Sequence, residues 1–363
     1  MAVPFRLELF SKSKDDLHKR ILPFITQHQL WRINLPNKAK GELPALLKHV
    51  RALRAVVPAG ADSNVCLHYS IAQNYARSAD ASFAALEEFA CQLGAELQQQ
   101  HVHSSSLSLL LVSGSQRRQL DSTAALERLA ASPRFRGLTP PLPLAVAFNP
   151  YFPDEARQQE ERRRLRLKLR AGRGLVTAVY LQAGSDAERL DQGLHFLQQL
   201  LDELAAPAPE QAAAQQAASV QQDRPAEQAA LTEQQQQQQQ QEARPAKRAR
   251  QQPAQQPCGP GARAQQAAGP AAADAAGRPA VFGSLLLPSK KLLAQMRFRP
   301  WAGVFLSDAY LGSVEAAEAA TLRVLRVYRR HGVVPLVETE VAGEAELARL
   351  QQLLAAAAEE GYG

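Results

Sequence analysis

Cysteine is scarce in this chain: Cys66, Cys91 and Cys258 are its three, and no two stand at a paired spacing. That excludes a disulfide framework and a cysteine zinc centre, so a reducing compartment is expected and a metal site is not. Long apolar runs are missing too. None approaches the roughly 18 residues that a membrane span requires, so no membrane partner is expected. The opening "MAVPFRLELF" alternates like a strand and has no charged segment leading into an apolar core, so no secretory signal is expected either. These absences together predict a soluble, cytoplasmic protein.

Aromatics are missing where positive charge gathers. The formal net charge is +7, and arginines concentrate in "RRRLRLKLRAGR" (162–173) and "RPAKRAR" (244–250). Neither segment has a ring on which a base could stack. A solvated helix face with arginine stems covering apolar surface accounts for the first better than a phosphate-backbone contact does, so nucleic acid is not expected as a partner. The cluster Lys247–Arg250 matches a nuclear import pattern, but short basic clusters arise readily from this composition.

Apolar residues make up 45% of the 363 positions. That is ample for one core of the size a barrel of alternating strands and helices uses, roughly 200 to 250 residues. One large shift in composition interrupts it. From 207 to 279 the chain turns to alanine, glutamine and proline, with an unbroken glutamine run from Gln234 to Gln241. Such a segment buries too little apolar surface to offset the entropy of ordering, which predicts a disordered insert. The insert is a candidate contact for a protein partner, and self-association is left open. The organisation expected is barrel units one to six over 1–206, the insert over 207–279, and units seven and eight with a terminal helix over 280–363.

Period-two and apolar runs predict strands over 5–10, 31–35, 65–69, 107–112, 144–148, 175–181, 281–287 and 333–337. Helical patterns over 14–27, 43–57, 81–98, 122–131, 154–170, 186–204, 289–296 and 314–331 alternate with them, and a last one covers "AELARLQQLLAAAA". Eight β-then-α units predict an α/β fold, a closed (β/α)8 barrel of the TIM type. Several strands are apolar throughout, as parallel strands covered on both faces should be.

Chemistry in such a barrel sits at the carboxyl ends of the strands, where the loops converge on one mouth. The polar residues at those ends are therefore the candidates: Glu8, Asn34 with Asn37, His68 with Tyr69 and Ser70, Ser113 to Ser115, Asn149 with Tyr151, Thr177 with Tyr180 and Gln182, and Glu338 with Thr339. The turn Ser113-Gly114-Ser115 attracts notice because glycine lets backbone N–H groups approach an anion closely, with the start of the 122–131 helix nearby.

In this order the motifs resemble the catalytic barrel of methylenetetrahydrofolate reductase. Glu8 in "LELFSK" falls where that family has a glutamate, His68 and Ser70 in "CLHYS" where it has His-Leu-Thr, and Gly114 in "LLVSGS" where it has a glycine. "FNPYFPD" follows in the place of its fifth strand. Lys168, Ala171, Gly172 and Thr177 in "KLRAGRGLVTA", followed by "YLQ", are the most specific match. The resemblance covers 1–205 and, more weakly, 280–340. It departs at Ser115, where the family has an aspartate, at Asn149 for a tyrosine, at Ala178 for a glutamine, and at Ser11 and Ser13 for prolines.

The resemblance implies a flavin-dependent oxidoreductase that uses FAD and NAD(P)H to reduce a folate-like small molecule. Glu8 would be its proton donor. Asn34, His68, Ser113, Gly114, Ser115, Asn149 and Lys168 would surround the cofactor, and Thr177 and Gln182 would contact the substrate. The residues alone leave other roles open: His68 as a structural histidine, Lys168 as a helix C-terminal cation, Gly114 as a turn residue. The alternative at the level of the whole protein is a barrel that keeps a ligand-binding mouth without redox chemistry, or that binds a protein partner.

Overall fold

The computed structural model describes residues 4–10, 13–58, 60–98, 106–114, 119–205, 278–341 and 343–359. The expected insert at 207–279 lies outside the described residues except for 278 and 279, as do the import pattern at Lys247–Arg250 and the candidate Ser115. Among the described residues, no helix is long and apolar enough to cross a membrane.

Eight strands close a barrel in chain order: β1 (Arg6–Glu8), β2 (Arg32–Leu35), β3 (Asn64–Ser70), β4 (Ser106–Val112), β5 (Leu144–Phe148), β6 (Val176–Leu181), β7 (Ala280–Leu285) and β8 (Val334–Val337). Every neighbouring pair is parallel, and β8 closes on β1. The (β/α)8 expectation is met. Because β6 pairs with β7, the sequence before 206 and the sequence after 277 build one sheet.

Side chains alternate across each strand, and this decides what fills the barrel. On β4, Leu107, Leu109 and Leu111 are buried against the helices outside, while Ser108, Leu110 and Val112 belong to the lumen series. Cys66, Leu110, Ala145, Ala178, Tyr180 and Leu336 pack together inside, with Val112 and Phe282 against them. The apolar appearance of "SLSLLLV" thus comes from burial on both faces.

The outer layer is formed by α1 (Lys14–Asp16), α2 (Leu22–Gln27), α3 (Leu43–Val56), α4 (Ala79–Gln98), α5 (Ser122–Ala131), α6 (Pro133–Arg136), α7 (Glu155–Ala171), α8 (Ala187–Ala205), α9 (Lys290–Phe298), α10 (Asp308–Gly312), α11 (Val314–Arg330) and α12 (Glu344–Glu359). Local chemistry sets several starts. Asp121 accepts from the Thr123 and Ala124 N–H groups, Asp154 from Arg157, Ser289 from Leu292 and Ser313 from Ala316, each satisfying donors that the first turn leaves unpaired.

Two details differ from the sequence reading. The expected helix over 14–27 contains a π-helical turn at Leu17–Ile21 between α1 and α2. The short α6 and α10 were not foreseen, although both carry readable starts, Ser132 before Pro133 and Ser307 before Asp308. On α7 the arginines do what the solvated-face reading requires: Arg163 pairs with Glu160, and Arg162 and Arg166 lie over the Phe196 ring.

Candidate active site

The lumen-facing residues at the strand ends enclose a cavity of about 310 Å³ at the mouth. Glu8 from β1, His68 and Ser70 from β3, Gln182 after β6, Ser284 from β7 and Glu338 after β8 supply its polar lining. Leu110, Val112 and Trp301 supply an apolar wall, and Lys38 closes one side from the loop after β2.

Glu8 is the centre of this arrangement. Its side chain is only 6% exposed, with Oε1 3.3 Å from Lys38 Nζ and Oε2 4.0 Å from His68 Nδ1. The pairing of Arg6 with Leu336 and Leu7 with Val337, carried one step further, brings Glu8 beside Glu338. Burial disfavours the charge on Glu8 and the Glu338 charge adds to that effect, so the carboxyl is pushed up to about 8 although Lys38 opposes the shift. Burial raises Glu338 as well, with Ser284 and Lys38 opposing. The two carboxyls titrate as a pair. Each carboxyl has a partner that favours its ionised form, Ser284 for Glu338 and Lys38 for Glu8, and burial, the largest influence on both, outweighs these partners and raises the pair.

A polar chain beneath the cavity orients His68. Arg6 is 1% exposed; its Nε donates to Asn34 Oδ1 at 2.8 Å, an Nη donates to the Ile33 carbonyl at 3.0 Å, and its guanidinium lies 4.7 Å from the Phe282 ring centre. Arginine can only donate, so the Asn34 oxygen faces Arg6 and the Asn34 amide nitrogen faces His68 Nε2, 3.0 Å away. His68 Nε2 is therefore the acceptor. Its proton sits on Nδ1, the nitrogen turned toward Glu8. Burial, with Lys38 and Arg6 nearby, brings the imidazole down to about 3, and His68 is neutral at pH 7.

Asn37, Ser70, Tyr180 and Glu338, also among the strand-end candidates, line the cavity too, but several residues assigned to the cofactor or substrate do not reach it. Ser113 Oγ accepts from the Ser122 backbone N–H at 2.9 Å and donates to the Ser122 hydroxyl, holding the start of α5 rather than an anion. Gly114 adopts φ +80°, and a Cβ there would come within 2.5 Å of Ala72 Cβ; its glycine is required by a turn packed on a neighbouring loop. Asn149 bonds the Gly303 carbonyl at 2.9 Å and accepts from Tyr151 N. Buried Lys168 donates to the Ala147 carbonyl at 2.9 Å, and burial lowers its pKa. Thr177 sits at the start of β6, the opposite end from the mouth, with its hydroxyl 3.5 Å from the Leu144 carbonyl. Of the residues given catalytic, cofactor or substrate roles, Glu8, His68 and Gln182 line the cavity, and Asn34 lies one hydrogen bond below it.

Sequence reasoning placed Glu338 among the strand-end polar residues without pairing it to Glu8, a neighbour that ring closure supplies. Arg6, Lys38 and Trp301 were missed. Arg6 carries a signal, since a charged residue alternating in phase with Glu8 must share its lumen face; Lys38 and Trp301 lie on loops without periodicity.

No protein-family profile matches the chain, and no curated protein does. Forty-five solved chains do match it. One is a mutant of Xylanase10C from Cellvibrio japonicus in complex with xylopentaose: 10% identity, TM-score 0.44, covering 97% of this chain and 62% of that one. Another is the native Xylanase10C from the same organism: 10% identity, TM-score 0.45, covering 98% and 65%. This chain therefore matches less than two thirds of either xylanase. A likeness at this level adds nothing beyond the barrel.

The flavin-dependent oxidoreductase expectation is corrected. Among the described residues, the side chains assigned to a flavin are not gathered around one space. Ser113, Asn149 and Lys168 are engaged in bonds that hold the scaffold, and Gly114 packs against Ala72. A cofactor site needs its polar groups free and convergent.

Proposed function

We propose that the barrel mouth binds a small polar molecule and acts on it by acid–base catalysis, with Glu8 donating a proton and Glu338 accepting one. The observation that carries this reading is a buried carboxyl, set beside a second one by the closing of β8 on β1, that opens onto a cavity instead of packing within the core. Its burial pushes it up to about 8. General acid catalysis works best when the acid titrates near the operating pH, and two carboxyls driven apart by their surroundings divide the acid and base roles between them.

The charges around the cavity narrow the substrate. With Glu8 protonated and His68 neutral, Lys38 and the underlying Arg6 outweigh ionised Glu338, which favours an uncharged or singly anionic molecule. Ser70 and Gln182 offer hydrogen bonds to it, and Trp301, Leu110 and Val112 a surface for its carbon skeleton. A volume of about 310 Å³ restricts it to a small metabolite.

The test is a binding screen of hydroxy acids, keto acids and sugars by saturation-transfer NMR, with conversion of each bound compound followed by the same method. The expected ligand binds the wild type and fails to bind Ala147→Phe, which fills the cavity. Its conversion falls by about 10²- to 10⁴-fold in Glu8→Gln while binding is kept. Conversion unaffected by Glu8→Gln, or no ligand that Ala147→Phe excludes, would overturn the reading.

A further inference from the structure

On the helical outer layer, three metal-ligating side chains converge that play no part in the chemistry above. Asp191 and His195 stand four residues apart on α8, so both leave the same helix face. His331 follows α11 directly as its C-cap. One ligand atom from each of the three lies within 4.8 Å of the other two.

The separations suit a cation. His331 Nε2 is 2.9 Å from Asp191 Oδ1, and His195 Nδ1 is 3.5 Å from Asp191 Oδ2. Ligand atoms bonded tetrahedrally at about 2.0–2.2 Å to a zinc ion stand about 3.3–3.6 Å apart, between and around these values. The His195 and His331 rings meet edge to face with centres 4.8 Å apart, so small rotations turn both toward one point. Two imidazoles and one carboxylate, with a position left for water, suit a borderline divalent metal of the late first row and not calcium or magnesium, which favour oxygen alone.

One group competes. Arg330 donates to Asp191 Oδ1 at 2.8 Å, but its side chain is 60% exposed and can swing into solvent, and Asp191 Oδ2 remains on the histidine side. Metal at His331 Nε2 takes the place of that nitrogen's contact with Asp191 Oδ1.

We propose that Asp191, His195 and His331 form a Zn(II)-class binding site that clasps α8 to the end of α11. The consequence is structural. α8 precedes the 206–277 segment and α11 follows it, so the ion ties together the two stretches of chain that this segment separates in sequence.

The experiment uses the full chain, stripped with chelator, at neutral pH. Titration with Zn(II) against a competing chromophoric chelator is expected to show a site of unit stoichiometry and a rise in Tm on loading. Co(II) at the same site should show visible bands of four-coordinate intensity. Asp191→Asn, His195→Gln and His331→Gln should each weaken binding by more than about 100-fold, the upper end for losing even a supporting group around a metal. His195 is 66% exposed on its side chain, so His195→Gln keeps the metal-free fold and the test stands if another variant does not. Zn(II) affinity unchanged in His195→Gln, or no Tm rise in the wild type, would overturn the assignment.

Discussion

Lys38 holds its ammonium 3.3 Å from the Glu8 carboxyl and, at 3.5 Å, over the face of the Phe10 ring. The cation lowers the proton affinity of Glu8, while burial and Glu338 raise it further than Lys38 can offset. Replacing the ammonium with an uncharged side chain of similar length removes only the opposing influence. In Lys38→Met the Glu8 carboxyl is expected to titrate higher than in the wild type. Following the labelled glutamate carboxyl carbons by NMR across a pH series checks this; a downward shift would show that Lys38 is not what holds Glu8 down.

Glu8 should also leave its mark on stability against pH. Its folded pKa, about 8, lies above the ordinary 4.5, so the folded chain binds this proton more tightly. The contribution is fully present below about 4.5 and is lost as pH rises through about 8. His68 acts oppositely. With its folded value near 3 against an ordinary 6.5, its contribution is present above 6.5 and lost as pH falls toward 3. Between 6.5 and 8 the Glu8 effect acts without that opposition. Relative to Glu8→Gln, the wild type should lose on the order of 1 kcal/mol per pH unit there. Urea unfolding of both proteins at several pH values measures the difference, and parallel profiles would contradict it.

Asn34 sets the tautomer of His68. In Asn34→Asp the carboxylate keeps Arg6 as a partner but can only accept, so His68 must turn its proton to Nε2 and present a bare Nδ1 to Glu8. The ¹⁵N shifts of the two ring nitrogens should exchange character. Asn34→Leu, which leaves Arg6 Nε and His68 Nε2 without this partner in the interior, should cost about 1–3 kcal/mol or more by chemical denaturation.

Gly114→Val should behave as a structural lesion. The position has φ +80° and no room beside Ala72, so a β-branched side chain is expected to cost about 1–3 kcal/mol from backbone strain, with the clash added. Thermal or urea unfolding reads the cost. Because Gly114 does not line the cavity, any ligand of the mouth should bind the folded variant as it binds the wild type.

Much of the architecture was legible from residue order because its causes are local. The runs 107–112 and 144–148 announce strands buried on two faces, and Asp121, Asp154 and Ser313 announce helix starts through bonds to the next few backbone N–H groups. Eight repeats of strand then helix leave little choice but a closed parallel barrel. Glu8 and His68 were readable for the same reason: a polar side chain in phase with the lumen at a strand end has only the mouth to face.

Tertiary structure decided which strand-end polar groups remain available for chemistry. Nothing in "FNPYFPD" or "KLRAGRGLVTA" says that Asn149 is engaged by the Gly303 carbonyl, 154 residues away, or Lys168 by the Ala147 carbonyl. Buried polar groups must find partners, and those partners are distant in sequence. Glu338 became the neighbour of Glu8 because β8 closes on β1, and burial, with the Glu338 charge adding to it, is what raises the Glu8 carboxyl. Sequence order determined that this chain folds as a barrel with a carboxylate at its mouth; burial and ring closure, which depend on the whole fold, raised the proton affinity of that carboxylate.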